Sequence, residues 1–173
     1  MNLKKIKILA VIGIFILSFL SHFAYEIFPN IIFSFIFPVN ESIWEHMKIL
    51  FTSTLLYGII DYLLLKKYNI KHNNFPFQLY FTSLIGIPIY LVIYLPLYNL
   101  LGESPFISIS LLLIVYIITQ IVSYNILKEK ELKILNLITI PVILLSYLGF
   151  IYLTYNPPHT YILYDITEDK YSI

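Results

Sequence analysis

Five long apolar stretches constrain the fold of this chain more than any other feature of its sequence. A helix needs about 20 mostly apolar residues to cross the hydrocarbon core of a bilayer. Stretches of this kind run over about 6–24, 43–65, 77–100, 105–127 and 132–155. They fill most of the 173 residues. The sequence therefore predicts an all-α bundle of five transmembrane helices, forming one integral membrane domain over 1–173 with a tail over 156–173.

The composition agrees with this class of protein. Hydrophobic residues make up 59% of the chain and charged residues only 12%, whereas a soluble domain usually has about 25% charged residues. The net charge of +1 gives no reason to expect nucleic acid as a partner. The chain has no cysteine, which excludes disulfides and thiolate metal sites. The lipid bilayer is therefore the expected surrounding.

The lysines predict how the protein is oriented, because basic residues are retained on the cytoplasmic side. They cluster before the first predicted span, after the second, and between the fourth and fifth: Lys4, Lys5, Lys7, Lys66, Lys67, Lys71, Lys128, Lys130 and Lys133. We therefore expect a multi-pass protein of the cell membrane, with its N-terminus inside and its tail outside. The apolar piece Ile31–Phe37 is too short to span and is expected to be interfacial or re-entrant.

The stretch PVNESIWEHMK, residues 38–48, gathers several charged side chains where the second span begins. Asn40 is expected to cap the helix, with Glu41 in its first turn, where a carboxylate suits the positive end of the helix dipole. Glu41 and Glu45 are four residues apart and are expected to share a helix face. Lys48 is expected to extend outward to the membrane surface.

Three segments are expected to bring imidazole and carboxylate groups to the outer surface. The end of the first helix supplies His22 and Glu26, the second helix supplies Glu45 and His46, and the tail supplies His159. Imidazole and carboxylate are the usual zinc ligands where no thiolate is present. The sequence therefore predicts these five side chains as metal ligands, although their spacing is not that of an HExxH helix.

A catalytic zinc site has three protein ligands and an open position for water. We therefore expect zinc or another divalent metal as cofactor, with His22, His46 and one of Glu26, Glu41 or Glu45 as its three ligands. Glu41 and Glu45 are the candidates for the catalytic acid or base. If the protein is an enzyme, metal-dependent hydrolysis of a lipid or cell-envelope substrate is the expected reaction. The tail after Pro157–Pro158 is rich in aromatic and aliphatic residues. It is expected to fold back over the outer helix ends and to bring His159 to the site.

Other interpretations stay open at this point. The same polar groups could form a structural clamp between helix ends. A small transporter or channel component would use Asp61 and Gln120 to line a path, although Asp61 is also expected to pair with Lys66 or Lys67. An assembly protein would use its aromatic surface to bind a membrane protein partner and would have no catalytic activity.

The residues also resemble a known group of proteins. PVNESIWEHMK, a first helix that ends in HFAYE, and a tail that contains PPH and YD are similar to an uncharacterised family of small bacterial integral membrane proteins with the signature PVNESxWEHxK. The resemblance covers nearly the whole chain. It implies the membrane architecture and marks His22, Glu41, Glu45 and His46 as special, but it implies no activity or substrate.

Overall fold

The computed structural model of the protein describes residues 1–171. The helices within these residues are α1 (Leu3–Ile27), α2 (Ile31–Ile36), α3 (Ile43–Lys67), α4 (Phe75–Leu101), α5 (Pro105–Lys128) and α6 (Lys133–Tyr155). All of them except α2 are long and apolar enough to cross a membrane. The predicted all-α membrane protein with five spans is therefore confirmed.

Four of the long helices surround the main apolar core. Helix α1 packs against α3 and α5, and α4 packs against the same two helices from the other side. Helix α6 packs against α4, and α2 lies mainly against α6. Met47, Phe51, Val115 and Tyr116 are almost completely buried at the centre. Many large apolar side chains point outward, as expected of helices that lie in lipid.

The two ends of the bundle differ in charge. The end that carries the C-terminus of α1, the N-terminus of α3 and residues 156–171 is called here the tail end. The opposite end, the lysine-rich end, has a buried ion pair in which Lys7 donates to Asp61 at 2.5 Å. The expected pairing of Asp61 with Lys66 or Lys67 is therefore wrong. Helix α1 packs along α3 and supplies Lys7 instead, while Lys66 and Lys67 are exposed.

Helix α3 begins two residues later than the expected N-cap at Asn40 would place it. Ser42 is the N-cap, and its hydroxyl accepts a hydrogen bond from the Glu45 backbone N–H at 3.3 Å. The Asn40 side chain instead accepts from the Ser42 N–H at 3.0 Å, in a turn before the helix. Glu41 therefore precedes α3, and the expectation that it shares a helix face with Glu45 is wrong.

The tail folds back over the helix ends, as predicted. The carbonyl oxygen of Ile162 accepts a hydrogen bond from the Trp44 N–H at 2.9 Å. The carboxylate of Asp165, which is fully buried, accepts from the Glu41 N–H at 2.9 Å. The tail thus fixes the segment that leads into α3, and it covers the end of the bundle where the candidate site lies.

Candidate metal centre

Three potential metal ligands meet at the tail end. Nε2 of His46, on α3, lies 3.2 Å from Nε2 of His22, on α1. The carboxylate oxygen Oε2 of Glu41, from the segment before α3, lies 3.3 Å from His46 Nε2 and 3.6 Å from His22 Nε2. Two helices and one connecting segment therefore contribute one ligand atom each to a single small triangle.

The size of this triangle suits a tetrahedral metal ion. Zinc binds histidine nitrogen and carboxylate oxygen at about 2.0–2.2 Å, and tetrahedral geometry then separates neighbouring ligand atoms by about 3.3–3.5 Å. The three separations of 3.2, 3.3 and 3.6 Å surround that value. One ion lying slightly off the plane of the three atoms could therefore contact all of them with ordinary bond lengths.

The ring of His46 is held in the orientation that a metal ligand needs. Its Nδ1 lies 2.9 Å from the carbonyl oxygen of Ser42, one helical turn back. A carbonyl oxygen can only accept, so Nδ1 carries a proton. Nε2 is then the nitrogen that faces Glu41 and His22, and it offers a lone pair to a metal once its own proton, which it donates to Glu41 in the absence of a metal, is displaced. Histidine ligands in metal sites are commonly oriented by this kind of second hydrogen bond.

Glu41 is held as a carboxylate by its neighbours. Its hydrogen bond with His46 lowers the pKa of the Glu41 carboxyl below its ordinary value, against the opposite effect of partial burial. The backbone of Glu41 is fixed by Asp165. Burial raises the pKa of Asp165, but hydrogen bonds from Thr167, Glu41 and Glu168 outweigh this and lower it overall. Both carboxyl groups are therefore ionised at neutral pH.

The cluster forms part of the wall of a cavity of about 270 Å³. Side chains from α1, α3, α4, α5 and the tail line this cavity. The side chains of His22 and His46 are 31% and 30% exposed, and that of Glu41 is 46% exposed. The three ligand groups can therefore be reached by an ion and by a small molecule.

Glu45, predicted as a ligand and as a catalytic group, points away from the cluster. It is 3% exposed, and its Oε2 lies 2.8 Å from Nζ of Lys48 and accepts from the Val39 N–H at 3.1 Å. Its Oε1 accepts from Thr154 of α6 at 2.6 Å. Both oxygens therefore already have protein partners on the face of α3 opposite the cavity.

Lys48 does not extend to the membrane surface, so that expectation is wrong. The side chain is fully buried. Its ammonium group donates to the carbonyl oxygens of Ser34 at 2.9 Å and Phe37 at 3.4 Å, as well as pairing with Glu45. The C-terminal end of α2 supplies acceptors for the charge inside the protein, which removes the need to reach water.

Two more predicted ligands lie outside the cluster. Glu26 is exposed one turn beyond His22, at the end of α1. His159 is exposed and stacks on Tyr171, with ring centroids 4.4 Å apart. The tail turns so that Asp165, and not His159, reaches the segment of Glu41. The structure thus brings together His22, His46 and Glu41 from the predicted set.

Sequence reasoning missed several residues of the cavity. Glu103, in the short connection between α4 and α5, lines it together with three tyrosines of α4: Tyr90, Tyr94 and Tyr98. The four-residue spacing of the tyrosines was a signal that they share one helix face. Glu103 was recognisable as a carboxylate in a loop predicted to be outside. The role of Asp165 depends on a long-range contact and had no comparable local signal.

The fold and the cluster define a helical membrane protein with a histidine and glutamate cluster at one end of its bundle. The model of DUF6512, a family of unknown function, matches residues 1–173, and the chain belongs to that family. No curated protein and no solved structure matches the chain.

Proposed function

We propose that His22, Glu41 and His46 bind zinc or another divalent metal at the outer face of the cell membrane, and that this metal supports hydrolysis of a lipid or envelope substrate. The observation that carries the proposal is the triangle of ligand atoms, with sides of 3.2, 3.3 and 3.6 Å. Two neutral imidazoles and one carboxylate form a usual ligand set for catalytic zinc.

The cavity supports the catalytic part of the proposal. Three protein ligands leave a fourth position for water or a substrate oxygen, and zinc lowers the pKa of bound water to about 7. With Glu41 as a ligand, the base role falls to Glu103, whose side chain lines the same cavity. Glu45 is less suited to that role because both of its oxygens are engaged elsewhere.

The outward orientation rests on the lysines, most of which lie at the end of the bundle opposite the cluster. The chain has no cysteine, so single cysteines can report the orientation directly. We expect Thr160→Cys in intact cells to react with a membrane-impermeant maleimide, and Asn73→Cys to react only after the membrane is opened. The reverse pattern would place the cluster on the cytoplasmic side.

Metal analysis tests the central claim. Detergent-purified protein is loaded with zinc, freed of excess metal, and measured by inductively coupled plasma mass spectrometry. We expect about one zinc per wild-type chain, and almost none for His22→Ala or His46→Ala. His159→Ala and His72→Ala are the controls that should keep their zinc. Substoichiometric zinc in the wild type, or unchanged zinc in His46→Ala, would overturn the proposal.

A transport path through Asp61 and Gln120 has less support. These residues line a second space of about 10 Å³, which is room for about one water molecule. Asp61 is also already paired with Lys7.

A further inference from the structure

The cavity extends from the metal cluster into the membrane-spanning part of the bundle. Tyr98, Tyr94 and Tyr90 follow one another down one face of α4, with ring centroids 5.8 and 5.0 Å apart. All three line the cavity. Eight residues of helix correspond to about 12 Å. The cavity is therefore deep enough to hold an extended chain that starts near the cluster and continues toward the middle of the bilayer.

Some of the side chains of α1 and α5 that line the cavity are also on the surface of the bundle. Phe19, Phe23 and Ile109 line it and are also 41%, 48% and 40% exposed on the surface of the bundle. Deeper in the bundle, α1 and α5 are joined by a hydrogen bond of 2.6 Å between Ser18 and Tyr116. A path into the cavity between α1 and α5, on the tail side of this bond, would thus be bordered by large apolar side chains, which suit contact with lipid rather than with water.

The tail covers the cavity on the side that faces away from the bilayer. Four of its side chains contribute to the lining: Tyr161, Tyr164, Ile166 and Thr167. This cover is attached to the start of α3 through Ile162 and Asp165. A ligand that enters between α1 and α5 would therefore come from the bilayer and would reach the cluster beneath the tail.

We infer that the cavity takes a monoacyl lipid with an anionic headgroup, which enters from the bilayer between α1 and α5. The headgroup lies at His22, Glu41 and His46, and the acyl chain lies along the tyrosines of α4. The volume of about 270 Å³ is slightly below that of pockets for drug-sized ligands, about 300–1,000 Å³, which favours one chain over two. The anionic charge and the position of the headgroup rest on the proposed metal function, because the Glu41 carboxylate would repel an anion in the absence of a metal. The site for the acyl chain does not depend on the metal.

Photo-crosslinking tests this inference. The protein is reconstituted in nanodiscs with a monoacyl glycerophosphate that carries a diazirine in its acyl chain, and labelled peptides are identified by mass spectrometry. We expect labelling of Leu112 and of the α4 face that carries Tyr90. Ile109→Trp fills the cavity and should lower this labelling about tenfold, a loss of about 1.4 kcal/mol in binding. Leu112→Phe, scored by the labelling of the α4 face alone, serves as a second cavity-filling variant if Ile109→Trp does not fold.

Ile117→Trp is the matched control. Ile117 lies on the same helix, is 44% exposed, and is not part of the cavity lining. Its substitution should leave the labelling unchanged. Equal labelling in the two tryptophan variants would mean that the probe marks only the lipid-facing surface and would overturn the inference. Equal competition by a diacyl glycerophosphate would overturn the preference for one chain.

The experiment separates this inference from the proposed metal function. Protein that binds zinc but shows no labelling inside the cavity keeps the metal proposal and overturns the lipid site. Labelling that falls in Ile109→Trp but persists in zinc-free protein supports the chain site and counts against a role of the metal in binding the ligand.

Discussion

Two pairs of charged residues in one short stretch behave in opposite ways. Glu45 and Lys48 are 3% and 0% exposed and form an ion pair of 2.8 Å inside the protein. The side chains of Glu41 and His46 are 46% and 30% exposed and face a cavity. All four residues lie within PVNESIWEHMK. The difference in exposure between the two pairs therefore comes from the part of the protein that each side chain contacts.

The buried pair is surrounded by protein partners. Helix α6 supplies the hydroxyl of Thr154, and the α2 segment supplies the carbonyl oxygens of Ser34 and Phe37. These groups satisfy both charges and leave no position for a ligand. The cavity pair has fewer protein partners and open space in front of it. Stability is therefore expected to depend on Glu45 and Lys48, and metal binding on Glu41 and His46.

The largest expected effect is the loss of stability when the buried pair is broken. Lys48→Met leaves the Glu45 carboxylate buried without its counter-charge, which typically costs about 3–5 kcal/mol. The midpoint of denaturation of detergent-purified protein should fall accordingly. Lys66→Met, at an exposed position, should change the free energy of unfolding by about 0.5 kcal/mol or less. Equal stability of the two variants would contradict the structural role of the pair.

Glu41→Gln should show the opposite pattern. The amide lacks the charge of the carboxylate, so zinc affinity should fall by about 10–100-fold, a range that is measured even for partners outside the ligand shell. Stability should change little because the Glu41 side chain is almost half exposed. Competition with a chromogenic chelator measures the affinity.

Glu45→Gln is the matched control for this prediction. It should lower the midpoint of denaturation while the folded fraction keeps its zinc. If Glu41→Gln and Glu45→Gln lost zinc to the same extent, the assignment of metal binding to the Glu41 pair and of stability to the Glu45 pair would be wrong.

The next largest effect on stability is expected for a change at Asp165. This tail residue holds the backbone of Glu41 through a hydrogen bond. Asp165→Asn keeps one acceptor oxygen but loses the charge, so we expect a loss of about 1.5 kcal/mol in stability at neutral pH. The folded-state pKa of Asp165 is lowered below its ordinary value of 3.8. Its stabilising contribution is therefore complete above the ordinary pKa and is lost as the pH falls through the lowered one.

Denaturation curves measured from neutral to acidic pH check this prediction. The stability difference between wild type and Asp165→Asn should be constant near neutral pH and should shrink below about pH 3.8. A difference that did not depend on pH would mean that the ionised carboxylate is not what holds the tail.

The architecture followed from local properties of the sequence. The length of each apolar stretch decides whether it can span a bilayer, and the apolar tail after Pro157–Pro158 indicated that it packs on the protein. Both expectations are confirmed by the helices and by the contact of Ile162 with Trp44. The closeness of His22 and His46 was also expected, because histidines at adjoining ends of neighbouring antiparallel spans lie at the same surface.

The pairing of charged groups could not be predicted in the same way. Asp61 was expected to pair with a lysine near it in the sequence but pairs with Lys7, which α1 brings alongside α3. Glu45 was expected at the predicted metal site, but it is engaged by Thr154 of α6 and by Lys48. Such choices depend on which helix packs on which face, and a single sequence does not contain that information.

The smallest expected loss of stability comes from removing one hydrogen bond to the buried pair, the one between Thr154 and Glu45. The Thr154 hydroxyl lies 2.6 Å from Oε1 of Glu45 and 3.0 Å from the Phe150 carbonyl oxygen of its own helix, so its one proton is shared between these two acceptors. Thr139 is similarly buried on α6, and within residues 1–171 its hydroxyl donates only to its own helix, to Leu135 at 2.8 Å.

Both threonines contact a carbonyl oxygen of their own helix. The difference in stability between Thr154→Val and Thr139→Val therefore reports mainly the contact of Thr154 with Glu45. We expect Thr154→Val to be less stable by about 1 kcal/mol, because Lys48 and the Val39 N–H continue to hold the carboxylate. Zinc content should be the same in both variants. Equal stability would show that Thr154 adds nothing to the buried pair, and a loss of zinc in Thr154→Val alone would show that the two faces of α3 are coupled.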